Sequence, residues 1–359
     1  MTSLYERAAI VPGRSMTRSK SLFGRWCTYG DGAMLYDTDG RAYIDMLCAL
    51  GAISLGYSHT REFTDSWCAG VYSLPHELEV EAAESVLQHV APWASWVRFL
   101  KTGSESTHAA YRIAKAATGR DNVLVGSWSF HGWHEWCQQP AHRFAHGEIP
   151  NLGGVAALFV EPHRWQPVSA WWLRALRDEC DRAGTLLVFD SMIYGGRWHL
   201  QGTSGYFGVL PDMECLGKAY GNGQAVAFVV GTERTQAHGE IPSGTYSGDT
   251  VGLSAVIDTL QKYATEPVIE TMWARGRQLA EGLDALVSAH PALLQSRDGA
   301  PVHQRLTFYD AANGERFARL MWDRGVLWHP GAVNVMFAHT EQQITAVVGA
   351  ARESLRALS

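Results

Sequence analysis

The sequence has little excess charge and no long hydrophobic run, and each absence excludes a class of protein. Its 359 residues include 30 Lys and Arg against 36 Asp and Glu, for a formal net charge of −6. This balance gives no basic surface for nucleic acid. No apolar stretch approaches the roughly 20 residues that cross a bilayer, and the first twenty residues lack the apolar core of a signal peptide. We therefore expect a cytoplasmic protein that binds neither nucleic acid nor membrane.

Paired cysteines are also absent, which excludes a disulfide framework and a four-cysteine zinc site. No C-x-x-C pair occurs among the six cysteines, which are Cys27, Cys48, Cys68, Cys137, Cys180 and Cys215. One crowded stretch offers metal-ligating residue types, namely His131, His134, Cys137, His142 and His146. It contains no His-Glu-x-x-His pattern, so we expect no metal site.

Short apolar runs that alternate with helical patterns occupy the first two thirds of the chain. The runs that indicate strands are 96–101, 123–126, 157–162 and 185–190, and the helical patterns are 78–89 and 108–118. This alternation predicts a mostly parallel sheet covered by helices on both faces. Ligands of such sheets bind beyond the carboxyl ends of the strands.

The pattern changes near residue 254. Amphipathic helices over 254–288 and 340–357 there bracket short strand-like pieces, which predicts a smaller α+β unit. Residues 31–45 alternate around an Asp-Gly turn, which predicts a β-hairpin that joins this unit. The expected organisation is an N-terminal segment 1–50 belonging to the small domain, a large domain 51–253 and a C-terminal small domain 254–359.

Asp190 and Lys218 carry the most informative chemistry. Asp190 ends an apolar strand, and Lys218 lies in a Gly-Lys turn 28 residues later. Taken singly, the aspartate would be a helix N-cap and the lysine an exposed loop residue. Pyridoxal phosphate needs this pair, because a lysine amine forms the Schiff base and a carboxylate keeps the pyridine nitrogen protonated.

Two nucleotide-binding alternatives fail on the same segment. A Walker P-loop would need glycine where Asp212 stands and serine or threonine where Ala219 stands. Gly221-x-Gly223 lacks the third glycine of a dinucleotide fingerprint and does not open a helix.

Segment 186–231, in which Pro-Asp and Gly-Lys precede a Gly-rich strand, resembles the class III (fold type I) pyridoxal-phosphate-dependent aminotransferases. The glutamate-1-semialdehyde aminomutase branch is the most similar. Further motifs carry the resemblance along the chain: DGAMLYDTDGRAYIDML…LGYSH, LKTGSESTHAAYRIAKAATGRD, SWSFHGWHEW and GTYSGDT. It implies an α/β fold with a mostly parallel sheet between helices, plus a smaller α+β domain. Pyridoxal phosphate is the implied cofactor, and the implied substrates are a small amino donor and a carbonyl acceptor.

The resemblance also implies how the phosphate is bound. Gly103 and Ser104 open a helix, whose free N–H groups and dipole attract an anion. Thr245, in GTYSGDT, corresponds to a threonine that reaches the phosphate of the neighbouring subunit. The implied assembly is a homodimer with shared active sites.

The remaining implied site residues surround the ring. Lys218 and Asp190 are the catalytic pair, and Phe130 stacks on one ring face with His131 beside it. Glu161, in a Val-Glu-Pro motif, lines the substrate side. Phenylalanine at position 130 keeps the stacking face of the family's tyrosine and removes its hydroxyl.

Two departures from the family leave the reaction and the substrate open. Ser191-Met192 stands where Glu-Val is usual, and the stretch between His131 and Glu161 is shorter, which suggests a more open active-site mouth. The same fold supports aminomutases, racemases and decarboxylases as alternatives to transamination. Three arginines are candidates for a substrate carboxylate: Arg25, Arg197 and Arg305.

Overall fold

The structure, a computed structural model, describes residues 3–10, 25–58, 70–139, 142–162 and 164–358. Its helices, α1 to α11 in chain order, are Leu4–Arg7, Cys48–Gly51, Leu78–His89, Gly103–Thr118, Ala170–Ala183, Gly202–Phe207, Glu233–Gln236, Thr250–Thr265, Val268–Ala289, Ala311–Asp323 and Glu341–Arg356. Its strands, β1 to β14, are Cys27–Asp31, Met34–Asp37, Ala42–Asp45, Trp96–Leu100, Asn122–Gly126, Arg143–Phe144, Val155–Val160, Leu186–Asp190, Met213–Gly217, Ala227–Gly231, Leu294–Ala300, His303–Phe308, Val326–Leu327 and Val333–Asn334. Cys68 and His59, the last residue of LGYSH, lie outside the described ranges.

A seven-stranded sheet forms the centre of the large unit, in the order β4-β10-β9-β8-β7-β5-β6. Strands β9, β8, β7, β5 and β6 pair in parallel, whereas β10 pairs antiparallel to both β4 and β9. The prediction of a mostly parallel sheet is therefore confirmed. Asp190 ends β8, which lies near the middle of the sheet.

Side chains alternate across this sheet and bury both of its faces. Along β7, Phe159 packs with α4, while Leu158 and Val160 pack with α5. Helices α3 and α8 cover Phe99 and Phe228 on strands β4 and β10. Because both faces are covered, the strands are almost continuously apolar, as the sequence showed.

The small unit combines the two ends of the chain. Strands β2 and β3 form the predicted hairpin, and β3 continues in parallel to β13, with Ile44 opposite Val326. Helices α9, α10 and α11 enclose a separate apolar core that includes Leu279, Phe317 and Ile344. The hairpin thus pairs with a strand of the C-terminal segment, and its assignment to a small domain stays a prediction. In the described part of the chain, no helix combines the length and apolarity needed to span a membrane, and the cytoplasmic location stays a prediction.

Helix α8 does not follow the expected domain boundary at residue 253, which falls inside it. Its Leu253, Val256 and Leu260 pack in the cluster formed by α3 and strands β4, β9 and β10 of the large sheet. We propose instead that the large domain ends at the break between α8 and α9, at Pro267. The amphipathic pattern could not reveal this, because the apolar face of a helix does not identify the sheet on which it packs.

Candidate active site

One pocket gathers most of the site residues that the sequence predicted. It opens beyond the carboxyl ends of β7 and β8, next to the start of α4. Its lining consists of Thr102, Gly103, Ser104, Phe130, His131, Gly132, Glu161, Arg164, Asp190, Met192, Ile193 and Lys218. Seven of the eight predicted site residues are in this set, and Thr245 is the exception.

The start of α4 forms one end of the pocket. Thr102 caps the helix by accepting from the N–H of Glu105, whose carboxylate accepts in return from the N–H of Thr102 at 2.8 Å. This capping box uses two of the first N–H groups of the helix. The N–H groups of Gly103 and Ser104 have no hydrogen-bond partner among the described residues, which leaves two donors for an anion.

Lys218 follows β9 in a strained backbone conformation. Its φ is 49°, in the left-handed region that costs a residue with a Cβ roughly 1–2 kcal/mol. The turn is fixed by Asn222, whose side-chain oxygen accepts from the N–H groups of Ser54 and Leu55, both at 3.0 Å. Ser54 Oγ also donates to the carbonyl of Ala219 at 2.8 Å. The surroundings thus hold the lysine side chain in the pocket.

Burial and two nearby carboxylates have opposite effects on the pKa of Lys218. Burial lowers the pKa of its ammonium to about 8, and the nearby carboxylates of Glu161 and Asp190 oppose that shift. Its Nζ makes no hydrogen bond within the described part of the chain. A neutral amine is therefore accessible near neutral pH, as a nucleophile or a general base requires.

Asp190 is buried and hydrogen-bonded on both oxygens. His131 Nδ1 donates to its Oδ2 at 2.7 Å, and the N–H of Met192 donates to its Oδ1 at 3.1 Å. The Nε2 atom of His131 is buried and has no partner among the described residues. These contacts fix the carboxylate at the end of β8.

Glu161, directly after β7, holds the loop that carries Trp128 and Phe130. Its Oε2 accepts from the N–H of Phe130 at 3.0 Å, and its carbonyl accepts from the indole of Trp128 at 2.8 Å. Burial raises the pKa of the Glu161 carboxyl, and the guanidinium of Arg164 opposes this shift. The Phe130 ring remains 52% exposed and lines the pocket.

These groups fit pyridoxal phosphate by their chemistry. The free N–H groups of α4 match the phosphate, the Asp190 carboxylate matches a ring nitrogen, and the Lys218 amine matches the aldehyde. Gly132 lets the loop approach, because a Cβ there would lie 2.5 Å from Ser104 Oγ. The donor set and the space at the start of α4 thus suit this cofactor.

The family model for class III aminotransferases matches residues 16–142 and 133–336 of the chain. The chain belongs to the class III aminotransferases. It is 30% identical to the glutamate-1-semialdehyde 2,1-aminomutase of Archaeoglobus fulgidus, over 91% of each chain. It is 26% identical to the 3-aminobutyryl-CoA aminotransferase of Cloacimonas acidaminovorans, over 91% of this chain and 88% of that one.

A solved structure shows the same fold. The PLP internal aldimine form of the FumI protein of Sphingopyxis sp. MTA144 superposes with a TM-score of 0.90 at 26% identity, covering 99% of this chain and 95% of that chain. The expected fold type I architecture is confirmed. As a class III aminotransferase, the protein is a pyridoxal-phosphate-dependent enzyme.

The departure from the usual class III residue at Ser191 has a structural counterpart on the next strand. Ser191 Oγ donates to the buried carboxylate of Glu214 on β9, which also accepts from the N–H of Thr203 at 2.8 Å. Burial raises the pKa of Glu214 to about 7. A carboxylate is thus present behind Asp190 although position 191 lacks one.

The arginines that the sequence offered for a substrate carboxylate already have partners. Arg197 is fully buried, and its guanidinium donates to the carbonyls of Gly51, Ile53 and Val335. Arg25 pairs with Asp323 at 3.0 Å, and Arg305 pairs with Asp298 at 3.1 Å. None of the three lines the described pocket.

Sequence reasoning missed Arg164, Thr102 and Gly132, all of which line the pocket. Thr102 had a readable signal, because Thr-x-x-Glu before a helical pattern is a capping box. For Arg164 the only signal in the sequence was its position three residues after Glu161. No group of three or more His, Cys, Asp or Glu residues suited to a metal occurs in the described ranges.

Proposed function

We propose that this enzyme transfers an amino group between an amino donor and a carbonyl acceptor, with Lys218 as the covalent attachment point and proton carrier. The observation that carries the proposal is the Lys218 amine. It has no hydrogen-bond partner among the described residues, and it lines the same pocket as the buried Asp190 carboxylate and the α4 N-terminus. Pyridoxal phosphate, when bound, supplies a ring that withdraws electrons from the substrate carbon beside nitrogen.

Lys218 then acts as a general base and acid. With the cofactor bound, its neutral Nζ would take a proton from the substrate carbon beside nitrogen and, as the ammonium, would give that proton back. The lowered pKa of this ammonium, about 8, favours the neutral form that the first transfer needs. The fixed Gly-Lys turn keeps the amine within reach during both transfers.

Asp190 and the loop at 127–132 orient the cofactor. The Asp190 carboxylate would hold a proton on the ring nitrogen, and His131 holds that carboxylate in place. Phe130 would lie against one ring face. Gly103 and Ser104 would donate to the phosphate through their free N–H groups.

We further propose a homodimer in which Thr245 of one copy completes the phosphate site of the other. Thr245 is exposed and lies outside its own pocket. Asp249, four residues later, pairs with Lys101 at 2.8 Å, directly before the phosphate-binding turn. The neighbouring segments expose a group of large apolar side chains, Val71, Tyr72, Leu74 and Tyr246. Such a group supports burial against a second copy.

An aminomutase reaction is the second candidate, because a glutamate-1-semialdehyde 2,1-aminomutase is among the relatives. The test is a panel of amino donors mixed with the cofactor-loaded enzyme. A transaminase should shift the cofactor band from ~420 nm to ~330 nm and release one carbonyl product per enzyme site. A carbonyl acceptor should then restore the first band. Conversion of one substrate to an isomer or to carbon dioxide, with no carbonyl co-product, would contradict transamination.

A further inference from the structure

Arg164 has a guanidinium that faces the pocket with most of its hydrogen-bonding capacity unused. It lies on the loop after β7, and its Nε is 3.3 Å from Glu161 Oε1. Its two terminal nitrogens have no partner in the described ranges, and its side chain is 27% exposed. An arginine offers a planar fork that matches a carboxylate with two parallel hydrogen bonds. The two terminal nitrogens of Arg164 are available for these hydrogen bonds.

Glu161 is not the carboxylate that the fork is shaped to hold. Its other oxygen already accepts from the N–H of Phe130 at 3.0 Å, so its position is set by the backbone. The recorded contact between them joins Arg164 Nε to Glu161 Oε1 at 3.3 Å. The pair therefore lowers the cost of burying Glu161 and leaves the terminal nitrogens for another anion.

The neighbouring Trp165 fixes the backbone that carries Arg164. Its ring stacks on His303 with centroids 5.0 Å apart and planes 18° apart, and the Arg305 guanidinium lies 4.6 Å from its centroid. A Cβ at Gly299 would lie 2.4 Å from the carbonyl oxygen of His303 and 3.0 Å from the Trp165 ring, so the glycine leaves room for both neighbours. The loop after β7 is thereby anchored on the hairpin β11–β12 of the small unit.

From these contacts we infer that Arg164 is the residue that binds the substrate carboxylate when an amino acid or oxo acid occupies the pocket. The inference rests on the proposed function of the same pocket and names the residue that recognises the carboxylate. The start of α4 offers free N–H groups for a phosphate, so that group would not require Arg164. Trp165 is a positioning residue that acts through Arg164.

Binding of simple carboxylates tests this directly, without turnover. The probes are straight-chain alkanoates from acetate to hexanoate and their uncharged amides, titrated by calorimetry into the cofactor-loaded enzyme. At least one alkanoate should bind more tightly than its amide. Arg164→Gln should weaken that binding about 10- to 100-fold, the loss expected for charge-assisted hydrogen bonds. Amide binding and the cofactor absorbance should stay unchanged.

Two further variants separate a specific role from a general one. Arg25→Gln removes a guanidinium paired with Asp323 in the small unit and should leave alkanoate binding unaltered. Trp165→Leu should weaken alkanoate binding while Trp165→Phe, which keeps an aromatic ring, should restore most of it.

Equal alkanoate affinity in Arg164→Gln and the unmodified enzyme would overturn the assignment, as would equal affinity for alkanoates and amides. If the unmodified protein failed to bind pyridoxal phosphate, the proposed function itself would be contradicted. Reading the cofactor absorbance in every titration keeps these two failures apart.

Discussion

Lys218 combines two costs that an ordinary surface lysine does not carry. Its backbone is left-handed, with φ of 49°, and burial lowers the pKa of its ammonium to about 8. Each cost is offset by the surroundings, through the Asn222 contacts in the first case and the carboxylates of Glu161 and Asp190 in the second. The neutral amine is the form that attacks a carbonyl, so this environment makes Lys218 reactive at a pH where other lysines are protonated.

The rate of cofactor uptake by the cofactor-free enzyme should therefore rise with pH and reach half of its maximum near pH 8. A lysine at its ordinary pKa of 10.5 would still be gaining rate well above that pH. Stopped-flow absorbance between pH 6 and 10 measures the profile. Lys218→Ala should show no covalent uptake, and borohydride reduction of the unmodified enzyme should label Lys218. A profile that climbs steadily to pH 10 would contradict the lowered pKa.

Asp190→Asn should retain the fold and lose at least ~100-fold in turnover, the scale of a proton-transfer contribution. The amide keeps the size of the side chain but cannot hold a proton on the ring nitrogen by charge. Steady-state rates and the absorbance of bound cofactor provide the measurement. Asp121→Asn, which changes an exposed aspartate paired with Lys115, is the matched control. It should leave turnover and cofactor absorbance unchanged. Near-normal turnover by the Asp190 variant would show that its role is assigned wrongly.

Sequence patterns located the residues that lie at strand and helix ends. Asp190 and Lys218 were found because a carboxylate at a strand end and a Gly-Lys turn 28 residues later match the pattern of the family, and the structure places both in one pocket. Arg164 could not be found this way, since its importance depends on which other arginines are already bonded. Arg197 looked equally available in the sequence, yet its guanidinium serves three buried carbonyls.

Among the elements, the contact between the 127–132 loop and the start of α4 is the tightest constraint on the phosphate end. Gly132 has φ of +104°, and a Cβ there would also lie 2.9 Å from the Cα of Ser104. A side chain at this position would therefore push the loop away from the helix start.

Gly132→Ala should lower the free energy of unfolding by about 2–4 kcal/mol, from backbone strain together with overpacking. Cofactor retention should fall with it, because the loop and Ser104 move apart. Gly147→Ala is the control: its φ is +83°, but no other part of the described chain lies within 4 Å of its Cβ position, so only the strain of about 1–2 kcal/mol should remain. Urea unfolding and cofactor titration measure both variants. Equal losses in the two would exclude the contact as the cause.

Apolar runs specified where four strands of the large sheet lie but not all of the strand directions. Strand β10 is as apolar as β8 and β9, and nothing in its side chains distinguishes an antiparallel strand from a parallel one when both faces are buried. Its direction follows from the short 222–226 connection after the Lys218 turn, which leaves no room for a crossover helix. The domain of helix α8 could not be predicted for a similar reason. The sequence shows that the helix has an apolar face but not that this face packs on the large sheet.

At the scale of the whole molecule, the proposed dimer supplies the donors that one copy lacks. A phosphate has three terminal oxygens, and the N–H groups of Gly103 and Ser104 cannot satisfy them all. The exposed Thr245 and the apolar group beside it form a surface on which a second copy would bury both.

Thr245→Ala should weaken cofactor binding by about 1.5–3 kcal/mol, the value of one hydrogen bond to a charged group. Subunits of Lys218→Ala mixed with subunits of Thr245→Ala should regenerate one complete site per hybrid dimer, once the subunits exchange. Cofactor retention by that site should exceed retention by the Thr245→Ala protein alone. Sedimentation before and after mixing monitors the assembly, and a fully active monomer would contradict the shared site.

The way in which the two chain ends meet also sets an order of events during synthesis. Cys48 donates to the carbonyl of Asn334, 286 positions later, and β3 pairs with β13. All seven strands of the large sheet, in contrast, lie within residues 96–231. On the ribosome this sheet can form while the hairpin β2–β3 still lacks its partner β13, since domains fold as their segments emerge. The hairpin β2–β3 must therefore wait, with one edge of β3 unpaired, until β13 has left the exit tunnel. Binding by a chaperone would be most needed in that interval.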